Sequence, residues 1–334
     1  MNRASGLAVS VLGDGGWGTT LAIHLDRRGH RVSWWSSSAE YAAQLARTRK
    51  NPRYLPGVAI PRRIRVTADL ADAASGASLV VVAVPSQYFR GVVRQLTARP
   101  RDQVLVSVAK GLETTSLKRM SQIIGEELPG ARVVVLSGPN IASEIAHGRP
   151  ASSVAASSLD ADAARVQRAL SDDRLRVYTS GDVVGVELGG ALKNPIAIAA
   201  GIGDGLGLGA NAKAALITRG VVEMARLGVA LGARRETFWG LSGLGDLITT
   251  CMGGRNRGLG EQLGAGKSLR HILAGSAMVI EGVETSKAAV ALGKQLGVEL
   301  PIIEQVYAVL FRRRSPERAL QNLMRRPQRS EAAA

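Results

Sequence analysis

Residues 7–29 read LAVSVLGDGGWGTTLAIHLDRRG, and this stretch decides the fold. LAVSVL at 7–12 is the short apolar run of a buried strand. GDGGWG follows, and then TTLAIHLDRRG carries apolar residues at helical spacing as far as Gly29, which fits a C-terminal cap. RVSWW at 31–35 reads as the next strand, so the whole is a βαβ unit of about thirty residues. In its loop, Gly13, Gly15 and Gly18 spell G-x-G-x-x-G. The first glycine permits a tight turn, the second lets backbone approach a pyrophosphate, and the third lets helix pack on strand. The N–H groups at the start of the helix suit anionic phosphates. Strand, spacing and helix agree, so this unit is expected to bind a dinucleotide.

Further along, LVVVAVPS (79–86), VLVSVAKG (104–111) and VVVLSGP (133–139) have the near-continuous apolar character of parallel strands covered on both faces. Helical segments lie between them. From residue 182 strand signals fade, and Ala/Gly/Leu-rich helical patterns occupy 183–201, 211–231, 257–274, 284–297 and 302–323. The expected fold class is therefore α/β: an N-terminal Rossmann-type doubly wound parallel sheet followed by an all-helical C-terminal domain. The expected division is a dinucleotide-binding domain over 1–185, a helical substrate and catalytic domain over 186–325, and a disordered tail over 326–334.

Composition narrows the function classes. A chain of 334 residues, 46% hydrophobic, can build two sizeable cores. The single cysteine, Cys251, excludes an internal disulfide framework and favours a reducing compartment. The opening MNRASGLAVSVLG lacks the pattern of a signal peptide, and no uncharged apolar run is long enough to cross a bilayer. The expectation is a cytoplasmic protein without an integral membrane segment. The net charge of +16 raises nucleic acid or an anionic membrane as partners. The basic residues are spread along the chain, however, clustering only at Arg312–Arg314 and from Arg325, and aromatics make up only 4%. That argues against a base-stacking surface, so no nucleic-acid partner is expected. No metal site is expected either.

Ligands of open α/β sheets collect at the carboxyl ends of the strands. Here those ends carry Pro85 and Ser86, Lys110 and Gly111, and Gly138, Pro139 and Asn140. Ser86 reads equally well as a strand-to-helix turn, and Lys110 as an exposed lysine closing a strand. The end of the second strand should bear an acid for NAD or a base for the 2′-phosphate of NADP. It bears neither: Ser36, Ser37 and Ser38 follow Trp35, with Glu40 later. Serine hydrogen-bonds either ribose, so NAD(H) versus NADP(H) stays open.

In the helical half, Lys193 sits in an apolar run after Gly189, Gly190, Ala191 and Leu192. Burial there would lower its pKa into the range of acid–base work. Asp246 follows two glycines and is suited to orient and charge-pair that lysine. Arg255-Asn256-Arg257 follow a Gly-Gly pair, and an arginine fork with an amide suits a phosphate.

Taken in order, VLGDGGWGTTLA, NPRYLPG (51–57), VPS (84–86), AKGLE (109–113), LSGPNIASE (136–144), ELGGALKN (187–194), GDGLGLGANAKAALITRG (203–220), GLSGLGDL (240–247) and EGVET (281–285) make the chain resemble the bacterial NAD(P)-dependent glycerol-3-phosphate dehydrogenases over nearly its whole length. The resemblance implies NAD(P)H-dependent reduction of dihydroxyacetone phosphate to sn-glycerol 3-phosphate, feeding glycerophospholipid synthesis. It implies Lys193 as the catalytic residue at the reacting oxygen, with substrate contacts from Lys110, Gly138, Asn140, Lys193, Asp246, Arg255 and Asn256. Cofactor contacts are implied for Gly13, Gly15, Gly16, Trp17, Gly18, Ser37, Lys110, Ala142, Arg255, Val279 and Glu281. A homodimer is expected. Three departures stand out: Gly16 replaces the family's serine, no basic residue lies near Ser37, and the loop before Arg255 is shorter, with glycine for serine. Two other readings stay open: a 3-hydroxyacid or 6-phosphogluconate type dehydrogenase on the same plan, and a dinucleotide-binding regulator without catalysis.

Overall fold

A computed structural model describes residues 6–96, 102–275, 278–328 and 330–331. The first half begins with β1 (Ala8–Leu12), α1 (Gly16–Arg27), β2 (Arg31–Trp35), α2 (Ala39–Thr48), β3 (Lys50–Asn51), β4 (Leu55–Ala59) and β5 (Arg65–Thr67). It continues through α3 (Leu70–Ala74), β6 (Leu79–Val82), α4 (Ser86–Val93), β7 (Val104–Ser107), α5 (Met120–Glu127) and β8 (Arg132–Ser137). α6 (Ala142–Ala146), β9 (Ala151–Ala156), α7 (Asp160–Leu170) and β10 (Leu175–Ser180) complete it.

Eight of these strands form one sheet in the order β10-β9-β8-β7-β6-β1-β2-β5, with β3 and β4 a separate hairpin. Every pairing in the sheet is parallel except β8 with β9. The chain order reverses beside β1, where β1 pairs with β2 on one side and β6 on the other. Alternate strand residues pack into two cores: Val9, Val11 and Val81 with α1 on one face, Leu12, Val82 and Leu105 with α4 and α5 on the other. Burial on both faces is what makes these strands read as unbroken apolar runs.

The sheet differs from the sequence reading in three ways. The runs expected at 79–86, 104–111 and 133–139 leave the sheet at Val82, Ser107 and Ser137. Their last residues form the turns beyond the carboxyl ends of the strands and, at Ser86, the start of α4. Two further strands lie beyond the expected runs: β9 (ASSVAA), whose alanines and serines carry little apolar signal, and β10 (LRVYTS), where only Leu175 and Val177 turn to the core. The sheet is not wholly parallel either, since only the short α6 links β8 to β9 and the chain turns back on itself.

The helical half comprises α8 (Val183–Gly205), α9 (Ala210–Ala230), a 3₁₀ turn at Arg235–Trp239 and a π-helical turn at Leu241–Gly245, α10 (Asp246–Met252), α11 (Arg255–Gly264), α12 (Leu269–Ala274), α13 (Glu281–Leu296), α14 (Pro301–Phe311) and α15 (Pro316–Met324). The helix expected over 257–274 is two, broken before Ser268, which caps α12, with Gly266 at φ 85°. The one expected over 302–323 is also two: Arg313 takes φ 52°, and Ser315 caps α15 ahead of Pro316. α8 is long and apolar enough to cross a membrane, yet 83% of its apolar window is buried inside the protein. It is the axial core helix, packed by α9, α10, α11 and α13. The tail expected over 326–334 falls partly outside the described residues.

Candidate active site between the sheet and the axial helix

The glycine loop is built as its spacing requires. Gly13 has φ 122°, and any Cβ there would strike the Ala83 carbonyl at 2.6 Å. Trp34 Nε1 donates to the Gly13 carbonyl at 3.0 Å and fixes the turn from β2. No side chain caps the start of α1 at Gly15, where a Cβ would meet open space. The Trp17 indole N–H is buried without a hydrogen-bond partner among the described residues. An uncapped helix start, open backbone and an orphaned donor fit the pyrophosphate of a dinucleotide. The hairpin β3–β4 lies over this loop: Asn51 Nδ2 donates to the Asp14 carbonyl and to Thr19 Oγ1, both at 2.7 Å.

The neighbouring strand ends point the same way. Ser86 opens α4 after β6, and its backbone N–H and hydroxyl donate to the two oxygens of Glu281 on α13, at 3.0 and 2.5 Å. Burial pushes the Glu281 carboxyl above its ordinary range, and the Ser86 bonds pull it back. Arg255, exposed at the start of α11, donates to the Val279 carbonyl at 2.8 Å. Glu281 thus ties α13 to the start of α4, while Arg255 is held to Val279, two residues before Glu281. Ala142 opens α6, where its carbonyl accepts from Thr20 on α1 at 3.0 Å. Ser37 is exposed just beyond β2.

Lys110, beyond β7, reaches across to the helical half. Its Nζ donates to the Gly138 carbonyl at 2.8 Å and to Asp246 Oδ2 at 2.7 Å. Lys193, from the middle of α8, donates to Asp246 Oδ1 at 2.5 Å and to Thr250 Oγ1 at 2.6 Å. Lys193 is 6% exposed and Asp246 1%. Burial lowers the Lys193 ammonium to about 8, Asp246 opposing and Lys110 reinforcing the shift. One carboxylate between two lysines leaves a surplus positive charge at the meeting point, the electrostatics suited to a developing alkoxide and a phosphate ester. Cys251 is buried nearby with its thiol pushed up to about 12, so it is not a thiolate nucleophile.

Two amides expected as substrate contacts form hydrogen bonds within the protein. Asn140 bonds β9, donating to Ser152 O at 3.1 Å and accepting from Ser153 at 3.1 Å. Asn256 joins a ladder: Asn194 donates to the Lys110 carbonyl at 2.8 Å, Asn256 to Asn194 Oδ1 at 2.8 Å, and Gly282 N–H to Asn256 Oδ1 at 3.0 Å. Asn256 therefore ties α8, α11, α13 and the Lys110 loop together. The sequence reading missed Asn194 and Thr250 as partners of this site. Both were detectable: Asn194 follows Lys193 directly, and Thr250 lies one turn after Asp246 on the same helix face.

The family model described as NAD-dependent glycerol-3-phosphate dehydrogenase N-terminus matches residues 8–163, and that for the C-terminus matches 182–321. The chain belongs to the NAD-dependent glycerol-3-phosphate dehydrogenase family. It is 48% identical to glycerol-3-phosphate dehydrogenase [NAD(P)+] of Citrifermentans bemidjiense over 329 residues, covering 97% of this chain and 98% of that one. It is likewise 48% identical to the enzyme so named in Syntrophotalea carbinolica, over 97% of this chain and 99% of the other. The crystal structure of glycerol-3-phosphate dehydrogenase from Coxiella burnetii superposes with TM-score 0.92 at 35% identity, covering 97% of this chain and all of that one. Membership in the glycerol-3-phosphate dehydrogenase family sets aside the 3-hydroxyacid and 6-phosphogluconate alternative, and its cofactor is NAD(H) or NADP(H).

Proposed function

We propose that this chain catalyses the reversible NAD(P)H-dependent reduction of dihydroxyacetone phosphate to sn-glycerol 3-phosphate, supplying the backbone of glycerophospholipids. The observation that carries this reading is the Lys193–Asp246–Lys110 bridge, which joins the axial helix to the ligand-facing ends of the strands. When bound, the dinucleotide supplies the hydride. Lys193, as the ammonium, donates its proton to the C2 oxygen as charge develops there, and as the neutral amine it accepts the hydroxyl proton in the reverse direction. Asp246 orients both lysines. Lys110 adds a second positive charge beside the substrate, and the exposed Arg255 guanidinium takes the phosphate. Residues 1–185 serve as the dinucleotide-binding unit and 186–325 as the substrate unit.

The free, buried Cys251 thiol fits a reducing compartment, and we place the protein in the cytoplasm on that ground. The first half of α9 presents Ala210, Ala212, Ala214 and Ala215 to solvent, which supports a homodimer through this helix, checked by sedimentation. The deciding experiment follows nicotinamide absorbance with dihydroxyacetone phosphate, in parallel with NADH and NADPH. Oxidation dependent on the phosphorylated ketone supports the reading. Dinucleotide binding without oxidation would favour the regulatory alternative.

A further inference from the structure

Read along the chain, the end of β2 offers only serines where an acid or a base should read the adenosine ribose. In space, an acid is there. β1 and β2 pair in register, Leu12 opposite Trp35, so the residues that leave the two strands emerge side by side. Asp14, within the glycine loop after β1, receives a hydrogen bond from the Ser36 hydroxyl at 2.5 Å on Oδ2. Ser36 is fully buried, and its backbone N–H donates to Thr67 O at 3.1 Å, so the donor is fixed. The Asp14 backbone is fixed as well, its carbonyl accepting from Asn51 at 2.7 Å and Thr19 at 3.2 Å. The side chain is half-buried, and among the described residues its Oδ1 accepts no hydrogen bond. A carboxylate is thus held at the carboxyl end of β2 with one oxygen free. The Arg53 guanidinium stacks over Tyr41 and Tyr54, at 4.7 and 5.8 Å from the ring centroids.

We infer that Asp14 sets the cofactor preference: its free oxygen accepts from a ribose hydroxyl of NAD(H), and its charge repels the 2′-phosphate of NADP(H). The carboxylate that NAD enzymes carry at the end of the second strand is here delivered from the neighbouring glycine loop. This inference rests on the dehydrogenase reading only for the presence of a nicotinamide dinucleotide.

The test measures dissociation constants of NADH and NADPH by nicotinamide fluorescence for the wild-type chain, Asp14→Asn and Asp14→Ala, alongside turnover with dihydroxyacetone phosphate. Asparagine retains an acceptor for Ser36 without the charge, so it guards against a folding defect in the alanine variant. The wild-type chain should bind NADH more tightly, and both variants should shift the affinity ratio toward NADPH by about tenfold or more, the scale of a charge–charge repulsion at close range. The change in NADPH turnover should lie in KM rather than kcat. Raising salt should narrow the discrimination in the wild type and leave it unchanged in Asp14→Asn, because only the former depends on repulsion. NADPH bound as tightly as NADH by the wild type, or a ratio unmoved in both variants, would overturn the inference. If both dinucleotides bind but the ketone phosphate draws no oxidation, the proposed reaction fails while the affinity ratio still decides the role of Asp14.

Discussion

Lys193 and Asp246, 53 residues apart in sequence, meet at 2.5 Å inside the protein, and Thr250 one turn further along α10 takes a second proton of the same ammonium at 2.6 Å. Two of the three ammonium protons are thereby engaged, and among the described residues the third has no acceptor. Lys193→Ala should lower turnover by about 10²- to 10⁴-fold, the usual worth of a positioned proton donor. Dinucleotide affinity should stay near that of the wild type, since Lys193 lies on α8, away from the glycine loop. Steady-state rates and a fluorescence titration on the same preparation check both halves of this expectation.

The pH dependence follows from the same pair. Burial brings the Lys193 ammonium to about 8, so ketone reduction, which needs the ammonium, should fall as pH rises through about 8. Alcohol oxidation, which needs the amine, should rise over the same interval. Asp246 raises the lysine's pKa, so Asp246→Asn should move both limbs to lower pH. Rate profiles in the two directions read this directly, and a limb that stays in place would remove the lysine–aspartate coupling from the mechanism.

Arg255 stands at the head of α11, its guanidinium donating to the Val279 carbonyl at 2.8 Å. Arg255→Ala should raise KM for dihydroxyacetone phosphate about 10- to 100-fold, the loss of a charge-assisted hydrogen bond. Unphosphorylated dihydroxyacetone should be little affected. An equal loss with both ketones would show that Arg255 does not read the phosphate.

Ser86 and Glu281 link the strand ends to α13 through two hydrogen bonds. Ser86→Ala removes the hydroxyl bond and leaves a buried carboxylate with one partner fewer, costing about 1–3 kcal/mol. Melting temperature should fall, and the fall should lessen at acid pH, where a protonated Glu281 needs the hydroxyl less. The sign follows from burial raising this carboxyl while Ser86 lowers it. Calorimetry at two pH values provides the check.

Much of this was legible in the sequence because it is local. The glycine spacing, the apolar runs of β1, β6, β7 and β8, and the isolated lysine of α8 each declare themselves within a few residues. β9 did not, since its alanines and serines carry little apolar signal, nor did the edge strand β10, where only Leu175 and Val177 turn to the core. The breaks after α11 and α14 escaped notice because Gly266 and Arg313 interrupt patterns whose apolar spacing runs on across them.

The sequence by itself determined the sheet-then-helices plan, the dinucleotide loop and the candidate lysine, because backbone preference and burial periodicity act over short stretches. The Asp246–Lys193 pair was anticipated from the sequence, whereas the tertiary structure decided the remaining contacts. It brought Lys110 to the same Asp246, turned Asn256 into a rung between helices, joined Ser86 to Glu281, and carried Asp14 to the end of β2 where the linear reading found no acid. The physical reason is distance. Coulomb and hydrogen-bond interactions depend on separation in space, and strand pairing and helix packing bring together residues that chain order keeps apart.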